Sequence, residues 1–298
     1  MSALLECDFH PFRLDDRETL MPFFMSMGSS LCEYSFGVQF CWQSFNRSDW
    51  AIIDDMLVVR FIEAGEQRFL CPAGTGDRGR LVEKLMNHQA ASGSTPRIDF
   101  VPMSAACPNA DEGLFIQRDR DNDDYVYLAA DLADLPGRRF SQKRNHISAL
   151  SRVSQWEVRQ VEPNGRLGQM LSFIQEWSEG RDMPDGSAIA SDHDAMVTAL
   201  KHAPALRMDV FELIIDKRFS GLSIGSMTSN DTYTIHFEKA LPEIRGAYQA
   251  ICSGVAGLVR DRCMFINREQ DMGVEGLRKT KHSWNPVRME ECCSVFRV

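Results

Sequence analysis

Three β-like segments follow one another in the second half of the chain, with only short polar turns between them. They span residues 208–215, 219–227 and 233–238 and are rich in β-branched and aromatic residues. The turns are Asp216-Lys217-Arg218 and Ser229-Asn230-Asp231. Strands joined by such short connections pair in antiparallel fashion, so a mostly antiparallel sheet is the predicted framework of this half.

Hydrophobic periodicity places further elements on both sides of these strands. A strand at 156–161 and helices at 166–179 and 192–202 precede them. A helix at 246–261, a strand at 263–266, a helix after Gly273 that ends before Pro286, and a strand at 293–298 follow. The predicted order is β-α-α-β-β-β-α-β-α-β.

The first half repeats this order with little sequence identity. Its predicted strands are 9–14, 50–54, 56–63, 67–71, 97–101, one around Phe115, and 125–129. Its predicted helices are 16–25, 30–45 and 77–91, with a helical turn at 103–107. A chain of 298 residues is long enough for two domains. We therefore predict an N-terminal domain at 1–135 and a C-terminal domain at 136–298, with a linker helix at about 138–152.

The repeated order is the one expected of the GNAT acyltransferase fold. The predicted fold class is therefore α/β (α+β), with two tandem GNAT-like domains, each a mixed, mostly antiparallel sheet flanked by helices. In that fold a phosphate-bearing donor sits at a helix N-terminus, where free N–H groups attract anions. The corresponding residues here are Arg245, Gly246 and Ala247, without the fuller glycine-rich loop of typical coenzyme A users. The glycine-rich stretch 72–79 of the first half is interpreted as a turn.

The charge is divided unevenly along the chain. Residues 1–135 carry a net charge of −11 and residues 136–298 a net charge of +2, which add to the overall −9. A polyanionic ligand is therefore expected in the second half, whereas the acidic first half is equally well interpreted as solvated surface.

Nine cysteines form an odd number with no CxxC pair, which is typical of reduced, buried thiols. The seven histidines show no metal-binding spacing, so no metal site is expected. No signal peptide and no stretch long enough to span a membrane are found, and we expect a cytoplasmic protein.

Acyl transfer requires a group that takes a proton from the acceptor. Alternation along residues 234–238 places Thr234, His236 and Glu238 on one strand face. Glu238 or His236 is therefore the candidate catalytic base. The alternative is a polar face that meets solvent.

Two polar clusters complete the candidate site. After the predicted strand 263–266 come Asn267, Arg268, Glu269 and Asp271, which either bind an acceptor or form a structural salt-bridge network. Four basic residues and one amide are candidates for binding the donor phosphate: Lys143, Arg144, Asn145, Arg278 and Lys281. For residues 143–145 the alternative is that they hold the two domains together.

The chain resembles a bacterial family of unknown function that is related to the C-terminal domain of phosphatidylglycerol lysyltransferases. The resemblance rests on residues 135–147 with Tyr125 and Tyr127 before them, and on 267–273 with 276–279. Weaker similarity lies at 33–36, Trp42 and 70–74. In a segment where relatives are expected to carry tyrosine, this chain has Trp284.

The resemblance implies tandem GNAT-like domains and transfer of an aminoacyl group from charged tRNA to a lipid headgroup. The first hypothesis is therefore an acyl- or aminoacyltransferase that uses aminoacyl-tRNA or acyl-CoA as donor and an amine or hydroxyl acceptor, on a small molecule or a lipid headgroup. The second is a non-catalytic tRNA- or nucleotide-binding module on a degenerate GNAT fold.

Overall fold

A computed structural model describes residues 8–104, 113–179 and 188–297. The chain divides into two compact units that do not follow the halves of the sequence. The first unit contains residues 1–124, 270–274 and 289–298, and the second contains 125–269 and 275–288. The predicted boundary at 135 thus lies ten residues or so beyond the change of unit, and the last residues of the predicted C-terminal domain are assigned to the first unit.

The first unit is built from three helices and a mixed sheet in its described part. The helices are α1 (Arg17–Ser26), α2 (Phe36–Asn46) and α3 (Arg78–Ala91). The strands are β1 (Asp49–Ile53), β2 (Met56–Glu63), β3 (Glu66–Leu70), β4 (Ala73–Gly74), β5 (Arg97–Pro102) and β6 (Leu114–Arg118), joined by the late strand β14 (Cys292–Arg297). The sheet order is β1-β2-β3-β5-β14-β6, with β4 paired to β2.

The second unit has the same kind of architecture. Its sheet order is β13-β7-β12-β11-β10-β9-β8. The helices are α4 (Ala129–Asp134), α5 (Ser141–Val153), α6 (Leu167–Glu179), α7 (Ala188–Leu206), α8 (Ala247–Val259) and α9 (Glu275–His282). The strands are β7 (Asp124–Leu128), β8 (Trp156–Val161), β9 (Asp209–Ile215), β10 (Arg218–Met227), β11 (Thr232–Ala240), β12 (Phe265–Asn267) and β13 (Arg288–Glu290).

Two-residue turns set the register of three antiparallel hairpins. Asp216 and Lys217 join β9 to β10, and both have positive φ (47° and 68°). Asp54-Asp55 and Ala64-Gly65 join β1 to β2 and β2 to β3 in the same way. Positive φ at both central residues defines a type I′ turn, whose twist matches that of paired strands. The predicted strands on both sides of these turns are therefore found close to their expected ends.

Helix α8 is buried because its sequence is apolar on almost every side. Ala250, Ile251, Val255 and Val259 are fully buried, as expected for a helix without a polar face. Gly254 allows the close approach, since a Cβ there would lie 2.5 Å from Val158 Cγ2 of β8. The helix thereby packs directly against the sheet of the second unit.

Strands β11 and β12 pair over only part of the length of β11. Their parallel register joins Thr232, Tyr233 and Thr234 to the three residues of β12, which ends at Asn267. Beyond Thr234, β11 continues to Ala240 while β12 has ended. The last six residues of β11 therefore have no partner in β12, and we call the region between these strands the β11–β12 opening.

Several elements differ from the sequence-based prediction. The expected strand at 9–14 is reduced to a single bridge between His10 and Trp50. The helix expected from Ser30 starts at Phe36, because Ser35 is extended (φ −128°, ψ 127°) and a 3-10 turn precedes it at Cys32–Tyr34. Helix α4 and strands β4 and β13 were not predicted, and most of the expected turn at 103–107 lies outside the described residues.

The predicted fold class is confirmed: two mixed sheets, each flanked by helices, form an α/β (α+β) tandem GNAT-like fold. The cysteines at 32, 41, 71, 252, 263, 292 and 293 are free and buried, as expected, whereas Cys7 and Cys107 lie outside the described residues. In the part of the chain that the structure covers, no helix is long and apolar enough to cross a membrane.

Candidate functional site

A buried ion pair spans the β11–β12 opening. The Nη2 atom of Arg268, just after β12, donates to Oε1 of Glu238 on β11 at 2.7 Å. Only 7% of the Glu238 side chain and 13% of the Arg268 side chain are exposed. Burial raises the pKa of the Glu238 carboxyl above its ordinary value, although Arg268 opposes the shift. The desolvation of this carboxylate is therefore only partly compensated by its partner.

Three polar atoms around this pair are buried without a hydrogen-bond partner among the described residues: Glu238 Oε2, Arg268 Nη1 and Ser223 Oγ. Ser223 is the register partner of Glu238 in the β10–β11 ladder. Buried polar groups in native proteins are nearly always hydrogen-bonded, to protein, water or a ligand. An acceptor, a guanidinium donor and a hydroxyl thus remain available at one place for a bound polar group.

Trp284 contacts two cations. Lys143 Nζ is 4.6 Å from the centre of its ring and the guanidinium carbon of Arg268 is 5.4 Å from it. Lys143 also donates to Ser283 Oγ at 2.6 Å. Burial, with repulsion from Arg268, lowers the pKa of the Lys143 amine. Cation–π contacts of this kind partly replace lost hydration and hold both charges near the opening.

The remaining groups around Arg268 reinforce this arrangement. Lys281 Nζ donates to the backbone oxygens of Arg268 and Glu269, at 2.6 Å and 3.0 Å. The Tyr127 hydroxyl donates to the Lys281 carbonyl at 2.8 Å. Burial raises the pKa of the Cys252 thiol to about 12, so this neighbour of Arg268 and Glu238 stays a neutral thiol at neutral pH. The site therefore carries more positive than negative charge.

His236, the second candidate base, lies within a chain of hydrogen bonds. Its Nε2 atom is 2.9 Å from Ser226 Oγ, and its Nδ1 atom is 2.9 Å from Glu269 Oε1. His236 and Ser226 are both buried, with 7% and 8% exposed. Glu269 thus contacts a histidine of β11, and the Glu269 N–H donates to Asn267 Oδ1 at 2.6 Å.

The three predicted phosphate-binding residues around the start of α8, Arg245, Gly246 and Ala247, differ in how exposed they are and in what they contact. Gly246 precedes α8 with φ +95°, and a Cβ there would lie 2.6 Å from the carbonyl oxygen of His146 in α5. Arg245 is exposed and its Nε approaches His146 Nδ1 at 3.4 Å, while Ala247 is buried as the first residue of α8. A backbone carbonyl of α5 therefore covers the side of Gly246 where a Cβ would project.

The other candidates for binding phosphate lie on two helices. In α5, Arg144 donates to the Leu135 and Gly137 carbonyls, which caps the preceding turn, and Asn145 is exposed. In α9, Arg278 is half-buried, three residues before Lys281. Lys143 and Lys281 are thus the two basic candidates whose described contacts place them at the ion pair.

Asp271 belongs to the first unit, where its carboxylate pairs with Arg120 at 3.2 Å and accepts from the Gly273 N–H. The same unit brings together one ligating atom each from Cys32, Glu33 and Asp124, all within 4.8 Å of one another. Cys32 donates through its backbone N–H to Asp124 at 2.7 Å and through its thiol to Gln270 at 3.1 Å. These hydrogen bonds order the turn at 32–34.

Comparison with solved structures places the fold among known proteins. A conserved protein of unknown function from Bacteroides thetaiotaomicron is 28% identical, with 98% of this chain and 100% of that one covered and a TM-score of 0.90. L-PGS from Bacillus licheniformis is 12% identical over 95% of this chain and 92% of its own, with a TM-score of 0.67. FemX is 8% identical over 96% of each chain, with a TM-score of 0.58. These last two show the fold alone.

Comparison with curated proteins gave no match. The family described as phosphatidylglycerol lysyltransferase, C-terminal, matches residues 24–295, which is most of the chain and includes every residue of the β11–β12 opening. The resemblance predicted from residues 135–147, 267–273 and 276–279 is therefore confirmed, and the chain belongs to the phosphatidylglycerol lysyltransferase C-terminal family.

Proposed function

We propose that this chain transfers an acyl or aminoacyl group from a phosphate-bearing donor to an amine or hydroxyl acceptor, with the chemistry at the β11–β12 opening. The observation that carries the proposal is Glu238: a buried carboxyl with a raised pKa and one oxygen without a partner among the described residues. A carboxylate of this kind can accept the proton of an attacking amine or hydroxyl.

The neighbouring groups suit the other needs of acyl transfer. Arg268 Nη1 and Ser223 Oγ are buried hydrogen-bond donors that a developing oxyanion can use. Lys143 and Lys281 add positive charge on the side of Arg268. A donor phosphate near these cations is favoured by Coulomb attraction in a site of low dielectric.

We favour an aminoacyl-tRNA donor over acyl-CoA. The carbonyl oxygen of His146 beside Gly246 carries partial negative charge where a coenzyme A pyrophosphate would approach α8. The family name describes a lysyl group and a phosphatidylglycerol acceptor, which supports an aminoacyl donor and a lipid headgroup or similarly small acceptor here. Titration with acetyl-coenzyme A and with aminoacyl-tRNA, at low and moderate salt, separates the two donors, since tRNA binding is strongly salt-dependent.

Glu238→Gln tests the proposed base. We expect product formation to be abolished while the affinity for the donor is retained, because glutamine keeps the size of the side chain but cannot accept a proton. Glu243→Gln is the matched control, since Glu243 is exposed and lies between β11, which carries Glu238, and α8. Unchanged turnover in Glu238→Gln rules out its role as base.

The second candidate is a non-catalytic tRNA- or nucleotide-binding module. It is favoured by Trp284, a buried residue at a position where relatives are expected to carry tyrosine. This chain therefore has an indole in place of a phenol there. Salt-sensitive tRNA binding by the wild-type chain, without transfer to any amine or hydroxyl tested, would support this module.

A further inference from the structure

Strand β11 has a β-bulge at His236, within the strand that carries the proposed base. The β10–β11 register passes from Ile224–Phe237 to Gly225–Ile235, so His236 is the extra residue. A bulge interrupts the regular alternation of side chains along a strand. His236 and Glu238 are two residues apart, but the bulge allows their side chains to lie on different faces of the sheet.

The contacts of the two residues show that they do lie on opposite faces. Glu238 is the register partner of Ser223 on β10. His236 instead reaches Ser226, whose Oγ lies 2.9 Å from the imidazole Nε2. Ser223 and Ser226 are three residues apart on one strand, so their side chains point to opposite faces.

Different helices cover these two faces. Ser223 is two residues from Gly221, where an added Cβ would lie 3.1 Å from Ile251 Cδ1 of α8. On the other face, Lys239 Nζ lies 4.5 Å from the centre of the Trp177 ring in α6. The proposed base therefore lies on the α8 face, and the imidazole lies on the α6 face.

Two side-chain contacts cross the β11–β12 opening, one on each face. On the α8 face, Arg268 Nη2 donates to Glu238 Oε1 at 2.7 Å. On the α6 face, His236 Nδ1 lies 2.9 Å from Glu269 Oε1. Arg268 and Glu269 are consecutive residues that follow the end of β12 at Asn267. The same short backbone segment is thus linked to β11 on both faces.

Backbone hydrogen bonds hold residues 268–269 on the side away from β11. The Arg268 N–H donates to the Tyr125 carbonyl at 3.0 Å, and the Tyr125 N–H donates to the Glu269 carbonyl at 3.3 Å. Lys281 Nζ donates to the carbonyls of both residues. Toward β11, the ladder ends at the pair Thr234–Asn267. Beyond that pair, the two side-chain contacts are the links that the described residues provide between β11 and this segment.

The His236 contact is fixed at both ends. A carboxylate only accepts hydrogen bonds, so Glu269 selects the tautomer of His236 with its proton on Nδ1, and Nε2 then accepts from the Ser226 hydroxyl. The His236 side chain is 2% exposed, so little water competes for these bonds. The Glu269 N–H in turn donates to Asn267 Oδ1 at 2.6 Å. Both partners of the contact are therefore held in place.

We propose that His236 is a positioning residue: through Glu269 it sets the width of the β11–β12 opening and so keeps Arg268 against Glu238 on the opposite face. This inference rests on the proposed function, in which Glu238 is the base. His236 takes no proton from the acceptor, because its ring lies on the face away from Glu238. Its effect on the reaction passes through Arg268.

Arg268 matters because its charge favours the ionised carboxylate, the form of Glu238 that can accept a proton. Burial raises the pKa of Glu238, whereas Arg268, Lys281 and Lys239 lower it. Cys252 of α8 remains a neutral thiol at neutral pH. A wider opening moves Arg268 away from Glu238, so the pKa of Glu238 rises further. At a given pH, more of the base is then protonated and inactive.

Two substitutions of His236 separate its two hydrogen bonds. Asparagine places an amide N–H near the position of Nδ1 and can still donate to Glu269, whereas glutamine places its amide near the position of Nε2, beside Ser226. We expect His236→Gln to move the midpoint of the Glu238 titration upward by roughly one pH unit, and His236→Asn to restore it toward the wild-type midpoint. NMR of ¹³C-labelled glutamate carboxyls measures this midpoint, with the Glu238 signal identified by its absence in Glu238→Gln.

Two further variants make the test specific. Glu269→Ala breaks the same contact from its more exposed end, since the Glu269 side chain is 22% exposed, and it decides the question if His236→Gln does not fold. We expect it to move the Glu238 midpoint in the same direction. In an Arg268→Gln background, His236→Gln should cause no further rise, because the residue through which it acts is gone.

The outcomes separate this inference from the proposed function. A Glu238 midpoint that stays at its wild-type value in folded Glu269→Ala and His236→Gln overturns the positioning role, as does a further rise in the Arg268→Gln background. If the chain transfers acyl groups, the acidic limb of its pH–rate profile should move to higher pH together with the midpoint. A midpoint that responds as expected in a protein that transfers no acyl group contradicts the proposed function alone.

Discussion

At the scale of residues, the sequence predicted that His236 and Glu238 lie on one strand, but not which face each occupies or what it contacts. Alternation grouped His236 with Glu238, but the β-bulge at His236 breaks this pattern: Glu238 pairs with Ser223 and His236 contacts Ser226, which lies on the other face of β10. Both side chains are buried rather than exposed to solvent. Their partners come from distant positions, since Arg268 follows Glu238 by 30 residues. Ser223 and Ser226 were not predicted, because a serine within an apolar strand carries no periodic signal. A polar residue in a strand buried on both faces was the only available indication.

The raised pKa of Glu238 predicts a specific pH dependence of stability. At a pH between the ordinary pKa of 4.5 and the raised pKa of the folded protein, Glu238 is deprotonated in the unfolded chain but still protonated in the folded protein. The folded state then binds more protons, so the contribution of Glu238 to stability is present below 4.5 and is lost as the pH rises through the folded pKa.

Urea unfolding of wild type and Glu238→Gln over a pH series measures this effect. Glutamine does not titrate, so the free energy of unfolding of the wild type, relative to that of the variant, should fall as the pH rises above 4.5. A relative increase over that window would mean that Arg268 outweighs burial and lowers the pKa instead.

At the scale of elements, the hairpins of both sheets were predicted well because short turns leave their strands little choice of register. Helix N-termini were less predictable: the apolar residues of 30–45 continue the helical pattern, but the extended Ser35 begins α2 at Phe36. The predicted strand at 9–14 is reduced to a single bridge at His10, because an apolar segment that pairs with no other strand over its length does not form a strand.

Two glycines of α8 provide a matched test of its packing. Gly254 and Gly257 lie three residues apart. A Cβ added at Gly254 would lie 2.5 Å from Val158 Cγ2, whereas a Cβ added at Gly257 would have no atom outside its own helix within 4 Å. Gly257→Ala should raise the free energy of unfolding by about 0.5–1 kcal/mol, because alanine favours the helix. Gly254→Ala should lower it by about 1–3 kcal/mol through overpacking.

Thermal and urea unfolding of both variants give the comparison. Equal effects of the two substitutions would contradict the close approach of α8 to β8, because helix propensity acts alike at both positions.

At the scale of the whole molecule, periodicity predicted a closing strand at 293–298 but not its sheet. The structure places β14 between β5 and β6 of the first unit. The pattern of apolar residues in Cys292–Arg297 is the same whichever strands it joins, so no local signal identifies the partners. The two units are therefore interleaved in sequence, a property that single-segment patterns cannot reveal.

Val295→Pro tests this placement. Val295 is 2% exposed and pairs with Ile98 and with Ile116, and proline in a central strand removes a ladder hydrogen bond. We expect hydrogen-exchange protection to be lost in β5 and β6, more than 170 residues earlier in the chain. Val295→Thr keeps the branched shape and should retain that protection. Protection that survives in the proline variant would contradict the assigned pairing.

The position of β14 also affects how the protein is made. Cys292 follows its neighbour Arg118 by 174 residues, and ribosomes add roughly 5–20 residues per second. The facing edges of β5 and β6 are therefore synthesised roughly 9–35 seconds before the strand that fills the gap between them. During this interval the nascent chain presents two unpaired strand edges, which are sites for pairing with other chains. Slow translation favours misassembly of this protein, and a chaperone that covers those edges favours its native state.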